Sequence, residues 1–129
     1  MHRLRRDKGL AVKAYIQDIN SRGEIRESKS KYTSLVLVVK KLGGSLYVCV
    51  NYRALNAVTI KNRNAPLIIK ETLARLSNVG YYTVVDVIAA FNKIRIKEGD
   101  KYKIAFLTRY RLFKYLVMPF SLCNAPSTF

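Results

Sequence analysis

Leu35-Val36-Leu37-Val38-Val39-Lys40-Lys41-Leu42-Gly43-Gly44-Ser45-Leu46-Tyr47-Val48-Cys49-Val50-Asn51-Tyr52 is the stretch that decides the fold. Two runs rich in apolar and β-branched residues, 35–41 and 45–52, flank a Gly-Gly pair. Glycine supplies the positive φ that a tight link between antiparallel strands requires. The expectation is a β-hairpin, with Lys40 and Lys41 beside its turn and reaching outwards.

Upstream, Val12, Tyr15, Ile16 and Ile19 fall at i, i+3, i+4 and i+7, which predicts a helix with one apolar face that Gly23 stops. Residues 24–34 are polar and read as an extended lead-in without an element of their own. Downstream, 56–65 reads as irregular, with Lys61-Asn62-Arg63-Asn64 as a basic patch. Pro66 then introduces a second helix, in which Ile69, Leu73 and Leu76 share a face and which Gly80 closes. Tyr81 to Phe91 reads as a strand running into a helical turn around Ile88 to Asn92.

Lys93-Ile94-Arg95-Ile96-Lys97 alternates as a half-buried strand should, and Glu98 to Lys103 reads as a turn. Ile104 to Thr108 and Leu112 to Val117 predict another antiparallel pair. Met118 to Cys123 is a loop leading to Asn124-Ala125-Pro126, a helix N-cap followed by an early proline. The pattern is α+β: antiparallel strands with packing helices, in about one small domain for 129 residues.

Within the 81–91 run one acid stands alone, Asp86. Desolvating an unpaired carboxylate costs several kcal/mol unless a cation or hydrogen bonds compensate. Either a basic side chain or a metal ion should therefore face it. The chain has 24 Lys plus Arg against 8 Asp plus Glu, a formal net charge of +16, so polyanions are the first partners to consider. A solvated basic surface is the alternative. A membrane surface fits less well, because no long basic amphipathic helix is evident.

Several classes are excluded. One His with no CxxC pair excludes the usual zinc patterns, and no phosphate-loop or GxGxxG motif occurs. Cys49 and Cys123 cannot form a disulfide framework, so an intracellular, reducing compartment is the default expectation. Arg3 to Lys8 is basic without a following apolar run, and reads either as an import or phosphate-binding cluster or as a solvated terminus.

A set of motifs in one order carries a resemblance over about residues 14–129. Ser28-Lys29-Ser30 is followed by Val39 to Leu46, by Cys49-Val50-Asn51-Tyr52-Arg53-Ala54-Leu55-Asn56 and by Thr59 to Arg63. Thr83-Val84-Val85-Asp86-Val87-Ile88-Ala89-Ala90-Phe91 and Val117-Met118-Pro119-Phe120-Ser121-Leu122-Cys123-Asn124-Ala125-Pro126 complete it. Together they resemble the reverse transcriptase, an RNA-directed DNA polymerase, of gypsy-type LTR retrotransposons.

The resemblance implies a partial right hand: fingers at about 1–57 and 95–129, an incomplete palm at about 58–94, and no thumb, remaining palm or ribonuclease H. It implies that Asp86 is a catalytic, Mg2+-binding aspartate, one ligand of a two-ion centre. Lys40, Lys41, Phe91, Pro119 and Phe120 match nucleotide-binding positions, and Phe91 also suits plain core. Arg53 matches a template-binding position, and Lys61 and Arg63 are placed with it. The implied partners are an RNA or DNA template-primer, dNTPs and the rest of a polyprotein.

This chain departs from the family at several positions. Asn51 stands for an Asp, Gly43-Gly44 for Asp-Gly, Tyr47 for an Arg, and Arg111 and Ser121 for Gly. The companion acids of the family's Tyr-x-Asp-Asp strand are not in the sequence, so the chain alone is expected not to polymerise DNA. The alternative is a non-enzymatic nucleic-acid-binding protein. It would use Lys61, Arg63, Lys93, Arg95 and Lys97 on phosphates and Tyr32, Tyr52 and Tyr110 for stacking.

Overall fold

The computed structural model describes residues 2–63 and 69–128. Among them are four α-helices, two 3-10 turns and one five-stranded sheet. The hairpin is as expected: β2 (Ser34–Lys40) and β3 (Leu46–Asn51) pair antiparallel from Leu35↔Asn51 to Lys40↔Leu46. The Lys41 N–H donates to Ser45 O at 2.8 Å, and Gly43 and Gly44 take φ of +100° and +87°. The side-chain period of two puts Val36, Val38, Val48 and Val50 on one face. Leu35, Leu37, Val39, Tyr47 and Cys49 lie on the other.

The first helix, α1 (His2–Ser21), buries Ile19 completely and half-buries Val12, Tyr15 and Ile16, while Gln17 and Asp18 face water. It begins earlier than the apolar periodicity suggests and takes in the basic run at 3–8. At its end Gly23 adopts φ +68°, its N–H reaches Asn20 O at 2.9 Å, and the Glu24 N–H reaches Ile19 O at 3.0 Å. This pair of bonds is the Schellman arrangement. A Cβ at Gly23 would meet nothing within 4 Å, so the cost of Gly23→Ala is purely conformational. About 1 kcal/mol of lost stability is expected, read as a lower urea midpoint at unchanged slope, with Gly23→Asn costing less.

The lead-in contains an element that the sequence reading did not foresee. β1 (Ile25–Glu27) pairs antiparallel with β5 (Leu112–Tyr115), and β5 pairs with β4 (Ala105–Leu107). Three residues with one inward apolar side chain carry too little periodicity to show as a strand; the partner decides. β4 in turn pairs with β2 in parallel, Ser34↔Phe106 and Leu35↔Leu107, so the sheet order is β1-β5-β4-β2-β3 and not all pairings are antiparallel. The core on the inner face gathers Ile19, Ile25, Val50, Tyr52, Ile104, Phe106, Phe113 and Tyr115.

Further corrections follow from neighbours. α2 (Arg53–Val58) forms where 56–65 was expected to be irregular; Ala and Leu favour the helix, and the Asn56 and Thr59 N–H groups donate to Tyr52 O and Leu55 O. α3 (Ile69–Leu76) ends four residues before Gly80, and Leu73 and Leu76 are exposed instead of forming a buried face. Pro66 lies outside the described residues. The expected Tyr81–Phe91 strand is absent: 81–87 has no regular structure, and Asp86 is exposed. β-branched residues make a strand only where a neighbour completes the ladder, and among the described residues no strand borders this run.

The strand expected at Lys93–Lys97 does not form: Lys93 ends a 3-10 turn, and although 93–97 alternate exposed and half-buried, the segment pairs only through the isolated Arg95↔Val117 bridge. At 109–111, where glycine was expected, no positive φ is needed. Thr108 Oγ1 accepts the N–H groups of Tyr110 and Arg111 at 3.2 and 3.0 Å and donates to Arg111 O, leaving Arg111 free to pair with Glu27.

Candidate nucleotide and nucleic-acid site

At the hairpin tip the pleat sends the two lysines different ways. Lys40 pairs with Leu46 in the ladder, whereas the Lys41 ammonium lies 4.9 Å from the ring centre of Tyr47. Such a cation–π contact stabilises an exposed lysine by about 0.5–1 kcal/mol. Tyr47, where the resemblance leads one to expect arginine, therefore holds a neighbouring cation in place of supplying one.

Tyr47 lines a cavity of about 400 Å³ together with Pro119, Phe120 and Ser121 from the loop after β5, and with Tyr15, Arg22 and Asn92. Pro119 is buried and Phe120 exposed. The half-buried Phe91 ring sits 5.6 Å from that of Phe120, tilted by 54°, a spacing within the favourable range for aromatic pairs. Phe91 is carried by the 3-10 turn Ala90–Lys93, entered through Ala89 at φ +52°.

The polar lining is neutral apart from Arg22. Tyr15 and Tyr115 share a 2.6 Å hydrogen bond between their hydroxyls. Burial pushes both hydroxyls above the ordinary tyrosine value; the shared bond opposes the shift at Tyr15. Both are neutral near pH 7. The arrangement offers an aromatic platform, one lysine at the rim and one guanidinium.

A second group of residues is joined by two asparagines, Asn56, expected in an irregular stretch, and Asn124, expected as a helix N-cap. Asn56, on α2, donates from Nδ2 to Ser121 O at 2.9 Å and accepts the Cys123 N–H at 3.0 Å. Asn124 precedes α4 (Ala125–Thr128), but its side chain accepts the Asn62 N–H at 3.0 Å and donates to Ile60 O at 2.9 Å. These bonds pin the loop bearing the exposed Lys61 and Arg63 to the start of α4, and tie the helix that begins at Arg53 to the loop after Phe120.

Tyr47 thus links Lys41 to the cavity that Pro119 and Phe120 line, with Phe91 beside Phe120, while Arg53, Lys61 and Arg63 are exposed on segments that Asn56 and Asn124 tie to 121–124. Lys40 does not share Lys41's contact with Tyr47. Asp86 stands on the exposed segment and forms no ion pair with a basic side chain among the described residues. Tyr52, expected to be available for stacking, is 1% exposed, because it continues the inward parity of Val48 and Val50; its hydroxyl donates to Ile104 O at 2.8 Å. A larger apolar cavity of about 630 Å³, lined by Leu55, Ile60, Ile94, Ile104, Met118 and Leu122, contains none of the expected nucleotide or template residues. Among the described residues no three His, Cys, Asp or Glu lie close enough to hold a metal ion, and no helix is long and apolar enough to cross a membrane.

Over 125 residues, 93% of the chain, it is 38% identical to the retrovirus-related Pol polyprotein from transposon 297 of Drosophila melanogaster. Over 107 residues, 83% of the chain, it is 36% identical to the transposon Tf2-3 polyprotein of Schizosaccharomyces pombe. It spans 12% and 8% of those polyproteins. The fold is similar to the foamy viral protease-reverse transcriptase solved in complex with an RNA/DNA hybrid, with a TM-score of 0.76 at 17% identity over 95% of this chain and 16% of that one. A second foamy viral protease-reverse transcriptase, in complex with double-stranded DNA, gives 0.74 at 19% identity over 92% of this chain and 21% of that one. No family model matches the sequence. These similarities make the chain a reverse-transcriptase-related segment, like part of those retroelement polyproteins.

Proposed function

We propose that this chain forms the fingers, about residues 1–57 and 95–129, and the first part of the palm, about 58–94, of a gypsy-type RNA-directed DNA polymerase acting on template-primer and dNTPs. The observation that carries this reading is one cavity lined by Tyr47, Pro119 and Phe120, with Lys41 against the Tyr47 ring and Phe91 against the Phe120 ring. The Phe91–Phe120 pair suits the flat faces of a nucleoside, and Lys41 suits its phosphates. Arg53, Lys61 and Arg63 would meet template phosphates. The nucleic acids bound by the foamy viral proteins support duplex partners.

The family's two Mg2+ ions need several carboxylates in fixed geometry. Here Asp86 is a single exposed acid on a segment without regular structure, and the described residues offer no cluster to join it. The residues present do not fit the ion pair, and no catalytic step is assigned to this chain alone. Primer extension on an RNA template with Mg2+ should show no incorporation by the 129-residue chain. Incorporation that disappears in Asp86→Asn would overturn this.

Binding is expected to survive without catalysis. If six or so phosphates are neutralised, affinity for an RNA/DNA hybrid should fall about a thousandfold between 50 and 200 mM salt. Lys61→Ala with Arg63→Ala should reduce the slope by about two. A slope near zero would remove the nucleic-acid reading altogether.

A second reading, a non-enzymatic nucleic-acid-binding protein, has its own observation. The exposed rings of Tyr32 and Tyr102 lie 5.7 Å apart, with the Lys103 ammonium 5.8 Å from the Tyr102 centroid. Aromatic and cationic groups side by side suit unpaired bases. Single-strand affinity lost in Tyr102→Ala, with no measurable dGTP binding, would favour this reading.

A further inference from the structure

We infer that Glu24 is a positioning residue for the aromatic pair: its buried carboxylate clamps the Ala90–Lys93 turn to the α1–β1 junction and so fixes Phe91 against Phe120. The use made of that pair rests on the nucleotide reading; the clamp rests on geometry alone. Glu24 is 8% exposed, and a carboxylate so placed needs partners for both oxygens. Oε2 accepts a hydrogen bond from Asn92 Nδ2 at 3.1 Å, across 68 residues of sequence. Oε1 lies 3.5 Å from Arg22 Nη1, and the same guanidinium reaches Asp18 Oδ2 through Nη2 at 2.7 Å.

The backbone of Glu24 is itself held on both sides. Its N–H donates to Ile19 O at 3.0 Å, and its carbonyl accepts the Leu116 N–H at 2.8 Å. The carboxylate therefore projects from a fixed point. The turn it holds is not secure by itself. Residues 70–89 are exposed throughout, and Ala89 takes a left-handed φ that costs a non-glycine residue about 1 kcal/mol or more. Within the turn, the Asn92 N–H reaches Ala89 O at 2.9 Å and the Ile94 N–H reaches Phe91 O at 3.1 Å. Those two amides report whether the turn is closed.

Asn92→Asp sets a second carboxylate against Glu24 and removes the donor. Amide exchange at positions 92 and 94 is expected to rise about tenfold or more. The reciprocal pair, Glu24→Gln with Asn92→Asp, restores one donor and one acceptor and should bring exchange back to within about twofold of the unaltered chain. A residue that contributes only buried bulk would not be rescued in this way. Unchanged exchange in Asn92→Asp, or no recovery in the double variant, overturns the clamp. dGTP affinity is measured on the same proteins. Affinity that falls and recovers with the turn supports the clamp's service to the nucleotide site, whereas a released turn with unchanged affinity supports the clamp and overturns the nucleotide reading.

Discussion

Raising the pH above about 10 is expected to unfold the chain steeply. Tyr52 and Tyr115 are 1% and 4% exposed, and burial pushes both hydroxyls far above the ordinary tyrosine value. The folded state therefore keeps both protons where the unfolded chain gives them up. The unfolded state binds fewer protons, so stability is full below the unfolded value and falls as pH rises towards the folded ones. Each buried tyrosine contributes a loss of about 1.4 kcal/mol per pH unit, and the two together about 3. Against a total stability of about 5–15 kcal/mol, two to three units consume much of the margin. Ellipticity and tyrosinate absorbance followed together should change in one step. Tyr115→Phe should move that step to higher pH; gradual ionisation through pH 10 with the fold intact would contradict the argument.

Phe106→Ala is expected to remove about 3–5 kcal/mol, the largest effect of any single truncation proposed for this chain. Phe106 is fully buried, with its ring 6.0 Å from Phe113 and 4.9 Å from Tyr115. It lies on β4, paired on one side with Ser34 of β2 and on the other with Phe113 of β5. A cavity there leaves strands on both sides without a packing partner. Urea unfolding should show either a much lower midpoint or no cooperative transition. The contrasting variant is Val84→Ala, at a residue 92% exposed, which should change stability by no more than about 0.5 kcal/mol. Comparable losses from both would mean that residues 81–87 are packed after all.

The elements legible in the sequence are those whose signal is local. Gly43-Gly44 between alternating runs announced the hairpin, and Val12, Tyr15, Ile16 and Ile19 with Gly23 announced the helix and its stop. Elements fixed by a distant partner were not legible: β1 exists because β5 borders it, and the parallel β2–β4 contact leaves no periodic trace. Tyr81 to Phe91 shows the reverse failure, a strand composition without a strand, because composition does not supply a ladder partner. For the candidate site, the motifs indicated Lys41, Phe91, Pro119 and Phe120 through resemblance. They did not indicate the asparagine struts at 56 and 124 or the Glu24–Asn92 bond, since one polar residue in a loop looks like any other until its acceptor is placed.

The exposed run after α3 also bears on handling the protein in solution. Val79, Tyr81, Tyr82, Val84, Val85, Val87 and Ile88 all face solvent, and such a β-prone stretch, broken by the single charge of Asp86, is a template for intermolecular cross-β stacking. The +16 charge is the opposing force, because mutual repulsion keeps copies apart. At 1 M ionic strength that repulsion reaches only about 3 Å. The salt that releases the chain from a polyanion is therefore also the salt that lets it clump, and colloidal stability is best sought in dilute buffer or with a polyanion bound.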